Sequence, residues 1–170
     1  NATPEDGSFQ LQTAGQFSDD ATMWNDTAPT AQLATIGSYG MQNTEKRIGF
    51  FWTSIPGYSR FGVYEGNSNA DGPFVYTGFK PALVMVKAVD ANQGWVVFDN
   101  TRYPHNPNNG VVYWHISNVE RVGTESMDFL SNGFKCRDDD ADMNQNTIMY
   151  AAWAEHPFNG NGENAFATAV

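Results

Sequence analysis

Apolar residues in this chain come in short bursts rather than at helical spacing. Leu83-Val84-Met85-Val86, Trp95-Val96-Val97-Phe98 and Ile148 to Ala154 are compact runs. Phe61, Val63 and Tyr64 fall in a similar short stretch that ends at Gly66. Phe74-Val75-Tyr76, Val111 to Ile116 and Phe134 to Arg137 have the same length and the same mixture of β-branched and aromatic residues. Each predicts a strand. Between them stand turn formers: Asn67 to Pro73, Asn92-Gln93-Gly94, Ser131-Asn132-Gly133 and the acidic stretch Asp138 to Gln145. Asn92-Gln93-Gly94 reads as a hairpin turn joining two strands. Phe129-Leu130 leads into the Ser131-Asn132-Gly133 turn.

The first third of the chain is less regular. Phe9 and Leu11 alternate with polar neighbours and suit a short strand. Leu33 to Gly37 predicts a weak one. Ile48-Gly49-Phe50-Phe51-Trp52, closed by Pro56-Gly57, predicts a buried strand. No segment sustains helical periodicity. Short strands about ten residues apart, separated by Gly, Pro and Asn, predict an all-β fold: a β-sandwich, jelly-roll-like, with a partial preceding repeat or N-terminal arm. The expected division is an arm and trailing half-repeat over 1–57, the sandwich module over 58–158, and a flexible tail over 159–170.

Composition narrows the function. The 170 residues carry a formal net charge of −10, and only Lys46-Arg47 place two basic residues side by side. Nucleic acid needs a basic face to neutralise phosphates, so it is excluded as a partner. An anionic membrane surface is disfavoured for the same reason. No apolar run has the roughly 20 residues a membrane helix needs, so membrane insertion by a helix is not expected. Cys136 is the only cysteine, which rules out an internal disulfide and the C-x-x-C motifs. It sits in an alternating run and is expected in the core. Asn1 in place of a starting Met reads as a processed or truncated end.

Two stretches echo each other. Gln42-Asn43-Thr44 followed by Phe50-Phe51-Trp52-Thr53-Ser54-Ile55-Pro56 matches Gln145-Asn146-Thr147 followed by Ala151-Ala152-Trp153-Ala154-Glu155-His156-Pro157. Trp52 corresponds to Trp153, and Pro56 to Pro157. As a tandem repeat, this makes Phe17 to Pro56 the trailing half of one unit.

The run from Phe74 to Lys87 resembles a module of tailed bacteriophages, especially marine ones. So do Phe129 to Lys135 and Tyr150 to Phe158, and Thr22 to Thr30 resembles the unit that usually precedes it. The resemblance covers roughly Ala21 to Phe158. Proteins with this module are labelled tail fibre, tail protein or other virion structural protein. The resemblance implies a virion location at the extracellular surface and assembly with copies of itself and with other virion proteins. It further implies attachment to a host-surface glycan or protein, and it offers no catalytic residues to carry over, so no enzyme activity is expected. The alternatives are a capsid or tail decoration protein that reads no ligand, and a glycan-cleaving tailspike-type enzyme. The acidic stretch Arg137 to Asp142 departs from the family pattern.

Two loops carry candidate chemistry. Arg102, Tyr103, His105, Asn106 and Asn108 form an aromatic and amide-rich loop. Its Tyr face can stack on a sugar ring, and its amides can pair with hydroxyls. Asp138, Asp140 and Asp142, followed by Asn144 and Asn146, offer oxygen ligands for calcium, without the glycine and distal Glu of an EF-hand. His105, His115 and His156 lack zinc-ligand spacing. Asp99, Glu120, Glu125, Asp128 and Glu155 are the carboxylates a glycosidase would draw on. Trp24, Trp95, Trp114 and Trp153 are expected as core or interface anchors. Asn1-Ala2-Thr3 and Asn25-Asp26-Thr27 fit the N-glycosylation pattern at a frequency near chance.

Overall fold

The computed structural model describes residues 7–39 and 48–157. Gln42-Asn43-Thr44, Lys46-Arg47, Asn1-Ala2-Thr3 and the 159–170 segment lie outside the described residues. Ten strands and one helical turn follow in order: β1 (Gly7–Ser8), β2 (Ser18–Asp19), α1 (Ala21–Trp24), β3 (Ser59–Glu65), β4 (Phe74–Tyr76), β5 (Pro81–Ala88), β6 (Trp95–Asp99), β7 (Asn108–Tyr113), β8 (Arg121–Leu130), β9 (Gly133–Cys136) and β10 (Thr147–Ala154).

The fold is all-β. Eight strands make one antiparallel sheet in the order β3-β10-β5-β6-β7-β8-β9-β4, which curls into a nearly closed, barrel-like shape. The two facing layers expected of a sandwich are thus opposite walls of a single curled sheet. Aromatic contacts show the curl. Tyr64 on edge strand β3 meets Phe134 on β9 at 5.9 Å between ring centroids, and Phe134 meets Tyr150 on β10 at 5.4 Å. The 66–73 connection adds backbone bonds across the seam, from Ser68 N to Asn144 O (2.8 Å) and from Gly72 N to Cys136 O (3.2 Å).

Alternation decides which side chains enter the core. Val84, Val86 and Ala88 on β5, Val96 and Phe98 on β6, and Ile148, Tyr150 and Ala152 on β10 point inward and are buried. Burying each large apolar side chain is worth roughly 1.5–3 kcal/mol. Residue parity is what sets these faces, because a one-residue slip would turn every one of them outward. Cys136 lies in the same core, as expected. Its sulfur is 3.6 Å from the Tyr64 hydroxyl, and burial pushes the thiol pKa up to about 11.

Three departures from the expected strands have physical causes. Strand β8 runs ten residues, although only Phe129-Leu130 was legible; its first part reads Arg-Val-Gly-Thr-Glu-Ser, without an apolar alternation. Strand β7 begins at Asn108 and ends at Tyr113, three residues ahead of the expected span, because Asn108 pairs with Met127. The third is the 48–52 run, which is neither strand nor buried. Ile48, Phe50, Phe51 and Trp52 are 84%, 73%, 73% and 65% exposed. β-propensity does not hold a segment that has no neighbouring strand to pair with.

The N-terminal part packs on its own sheet. The β1–β2 pair is followed by α1, a single turn capped by the Asp20 carboxylate, which accepts from Thr22 N at 2.9 Å. Phe9 packs edge-on against Trp95 at 5.8 Å, and Phe17 N donates to Val89 O at 2.8 Å. The indole nitrogens of Trp24 and Trp95 donate to Gly7 O (2.9 Å) and Gln10 O (3.2 Å), so these two act as anchors. Trp153 packs edge-on against Phe61, whereas Trp114 is 45% exposed. The 33–37 stretch is not a strand; Gly37 N bonds Met23 O instead.

Candidate functional site

The loop between β6 and β7 is built by its own asparagines. Asn106 bonds the Phe129 backbone twice, donating to O and accepting from N, each at 2.9 Å. This copies a strand pair with side-chain atoms. Asn108 is buried and donates to Asp99 O (2.8 Å) and Tyr103 O (3.1 Å). The Asn106–Pro107 peptide is cis. At the loop's start, Asp99 accepts from the backbone N–H groups of Thr101 and Arg102, both at 2.9 Å. The Arg102 guanidinium bonds Asp99 and Glu120. Burial pushes the Asp99 carboxyl up, but the Arg102 and Thr101 N–H groups and the Arg102 guanidinium outweigh it and hold it below the ordinary range.

These bonds sort the five loop residues by role. Arg102, Asn106 and Asn108 hold the loop in shape. Tyr103 is half-buried, and His105 is exposed at the surface. Tyr103 lies so close over Gly110 that a Cβ added there would meet its ring at 1.9 Å.

Beside Tyr103 is a cleft of about 180 Å³, floored in part by Phe129 and Asn106. Its other wall combines Asn100, at the start of the same loop, with two residues from distant segments: Lys80 before β5 and Glu155 after β10. Glu155 accepts from the Asn100 amide at 2.7 Å and pairs with Lys80 Nζ at 2.9 Å. Lys80 and Asn100 carry no signal in the sequence, because the register of β5, β6 and β10 is what brings them together.

The acidic loop after β9 is organised differently. The Asp138 carboxylate accepts from Asp140 N (3.0 Å), and the Asp140 carboxylate accepts from Asp142 N (2.7 Å). Asp142 accepts from Gly94 N. Asp138 is not part of the convergent set. Oxygens of Glu125, Asp140 and Asp142 lie within 4.8 Å of one another, so Glu125 stands where the sequence suggested Asp138. These three are the residues able to hold a divalent cation such as calcium, although six to eight oxygens are its usual complement.

Glu125 arrives there because β8 bulges. Gly110 pairs with Val122 and Asn108 with Met127, so Asn109 alone stands opposite residues 123–126. Gly123, with φ of +84°, supplies the left-handed turn. A bulge re-aims a side chain, and here the Glu125 carboxylate becomes buried and bonds the Tyr113 hydroxyl. A glycine inside a strand is the one sequence signal that pointed to this. Burial, and then the Glu125 hydrogen bond, raise the Tyr113 phenol pKa. Burial also raises the carboxyl pKa of Asp142, and Asp140 adds to the rise while the Gly94 N–H opposes it.

Lys87 sits near this cluster, fully buried on the outer face of β5. Its ammonium donates to Ala88 O at 2.8 Å and stands 5.4 Å from the Phe9 ring centre. Burial lowers its pKa, and Asp142 partly offsets this. His115 accepts from Trp95 N through Nδ1, while His156 is exposed beside Glu155.

The chain belongs to a family described as a domain of unknown function, DUF7483, which matches residues 1–157. No curated protein and no solved structure matches the chain.

Proposed function

We propose that this DUF7483 chain is a structural module of a virion appendage, tail-fibre-like, that works by binding and assembly without catalysis. It joins copies of itself and other virion proteins, and it attaches to a host-surface glycan or protein through the loop between β6 and β7. The observation that carries this reading is the construction of that loop. Its amides are used to hold the backbone rigid, which leaves Tyr103, Pro104 and His105 presented on a fixed scaffold. Binding groups are commonly displayed this way, and a preorganised loop loses less entropy on contact. The likeness of residues 74–87, 129–135 and 150–158 to tailed-phage virion modules supports the setting.

Of the five carboxylates a glycosidase would draw on, Asp99 and Glu120 pair with Arg102, Asp128 with Arg137 and Glu155 with Lys80, while Glu125 bonds the Tyr113 hydroxyl. Linked copies would gain avidity from weak single sites.

A second reading, a capsid or tail decoration protein, is favoured by the exposed aromatic segment at 48–52. That segment is a surface for packing against neighbouring subunits. A glycan array probed with the full chain separates the two. Reproducible retention on sugars is expected for the attachment module. Silence on the array, together with tight binding to capsids or tails, would replace it with the decoration reading.

A further inference from the structure

We infer that the cleft between Tyr103 and the Lys80–Asn100–Glu155 group is a subsite for a single neutral hexose ring. The inference rests on the attachment reading above and adds to it the ligand class and the residues that select it.

Three features fit that ligand together. The first is size, since a cleft of about 180 Å³ accommodates one sugar ring rather than a chain. The second is the aromatic platform. A sugar presents an apolar C–H face that packs on an aromatic ring. The Tyr103 ring occupies the space that any side chain at position 110 would take, so its placement depends on Gly110. The Tyr103 carbonyl is tied to Asn108 as well. The ring is therefore set before the ligand arrives.

The third feature is the polar wall. Glu155 Oε1 accepts from the Asn100 amide at 2.7 Å and from Lys80 Nζ at 3.2 Å, and Oε2 pairs with Lys80 Nζ at 2.9 Å. An ionised carboxylate has about four lone-pair sites, so acceptor capacity remains for sugar hydroxyls. The Lys80 ammonium has further N–H bonds to donate, and its side chain is 48% exposed. A mixed set of acceptors and donors lining the same cleft as Tyr103 matches hydroxyls on adjacent carbons.

Charge selects neutral sugars over acidic ones. Lys80 and Glu155 cancel within the cleft, and the whole chain carries −10. An anionic sugar would meet no uncompensated cation here and a repulsive long-range field.

The test is NMR titration of the full ¹⁵N-labelled chain with the methyl glycosides of glucose, galactose and mannose, and with sialic acid as the anionic probe. At least one neutral hexoside should shift the amides of Asn100, Tyr103 and Glu155 together, with weak affinity. Tyr103→Ala and Glu155→Ala should each weaken that response by about tenfold or more, while the rest of the amide spectrum keeps its folded pattern. A hexoside response indifferent to both substitutions, or centred elsewhere, would overturn the subsite while leaving the attachment reading intact. So would retention on a glycan array without any hexoside response at these amides. Preference for sialic acid would overturn the ligand class. Failure to bind any glycan or host surface would remove the attachment reading along with the subsite.

Discussion

Phe50-Phe51-Trp52 and Ala151-Ala152-Trp153 read alike in the sequence, and the fold treats them in opposite ways. The second is the middle of β10, paired with β3 on one side and β5 on the other. Ala151 and Ala152 are 2% and 0% exposed, and Trp153 packs edge-on against Phe61. The first pairs with no strand among the described residues, and its three aromatic rings are exposed. Phe50 and Trp52 stack on each other, at 6.1 Å between ring centroids. An apolar run becomes a buried strand when the topology supplies partners, and otherwise it becomes a surface. The two surfaces left over, the 48–52 segment and the Tyr103 cleft, are the ones proposed above for assembly and for attachment.

The largest expected effect breaks the buried copy. Ala152→Asp places an unpaired charge in the core and should cost roughly 3 kcal/mol or more, enough to unfold much of the population. Phe51→Asp should change stability by no more than about 0.5 kcal/mol. Urea denaturation of both variants checks the contrast, and equal losses would mean that the 48–52 segment is part of the folded core.

Next in size is Glu125→Ala. It removes the acceptor of the Tyr113 hydroxyl inside a buried site, for a loss of about 1–3 kcal/mol by the same assay.

A smaller effect, of opposite sign, is expected at Asp142. Its raised pKa means that the folded state holds the proton more tightly than the unfolded state does. That stabilisation is present at acid pH and is lost as pH rises through the folded-state value. At neutral pH the buried carboxylate is therefore a cost. In a chelating buffer at pH 7, Asp142→Asn should raise stability modestly, read as a higher melting temperature. The gain should vanish below the ordinary carboxylate range. If calcium instead raises the melting point of the wild type and not of the variant, the Glu125–Asp140–Asp142 group holds a cation.

The smallest effect on stability should come from the paired Phe50→Ser and Trp52→Ser substitution. Melting should stay within about 0.5 kcal/mol of wild type, while light scattering at high concentration should show less self-association.

Much of the sheet was legible because β5, β6 and β10 have compact apolar runs, and β3, β4 and β9 are bounded by Gly and Pro. Strand β8 was not, because its bulge carries Gly123, Glu125 and Ser126 where a strand pattern would have apolar residues. The sequence also placed Arg102 to Pro107 and Asp138 to Asp142 in connections between strands, as the structure has them. It did not reveal their roles, because amides look the same whether they face a ligand or a carbonyl. Asn106 and Asn108 support the loop, whereas Lys80 and Glu155, from outside it, line the cleft. The acidic cluster followed the same rule: a run of Asp in one loop suggested one site, and a bulge on another strand supplied Glu125 in place of Asp138.

The most direct measurement compares three proteins on one glycan array: wild type, Tyr103→Ala, and the paired Phe50→Ser and Trp52→Ser variant. Wild type should be retained on neutral hexose-bearing glycans, and Tyr103→Ala should lose that retention while remaining folded. The paired variant should keep single-site recognition and bind less strongly at high glycan density. Retention that does not depend on Tyr103, or a wild type that binds no glycan, would contradict the account.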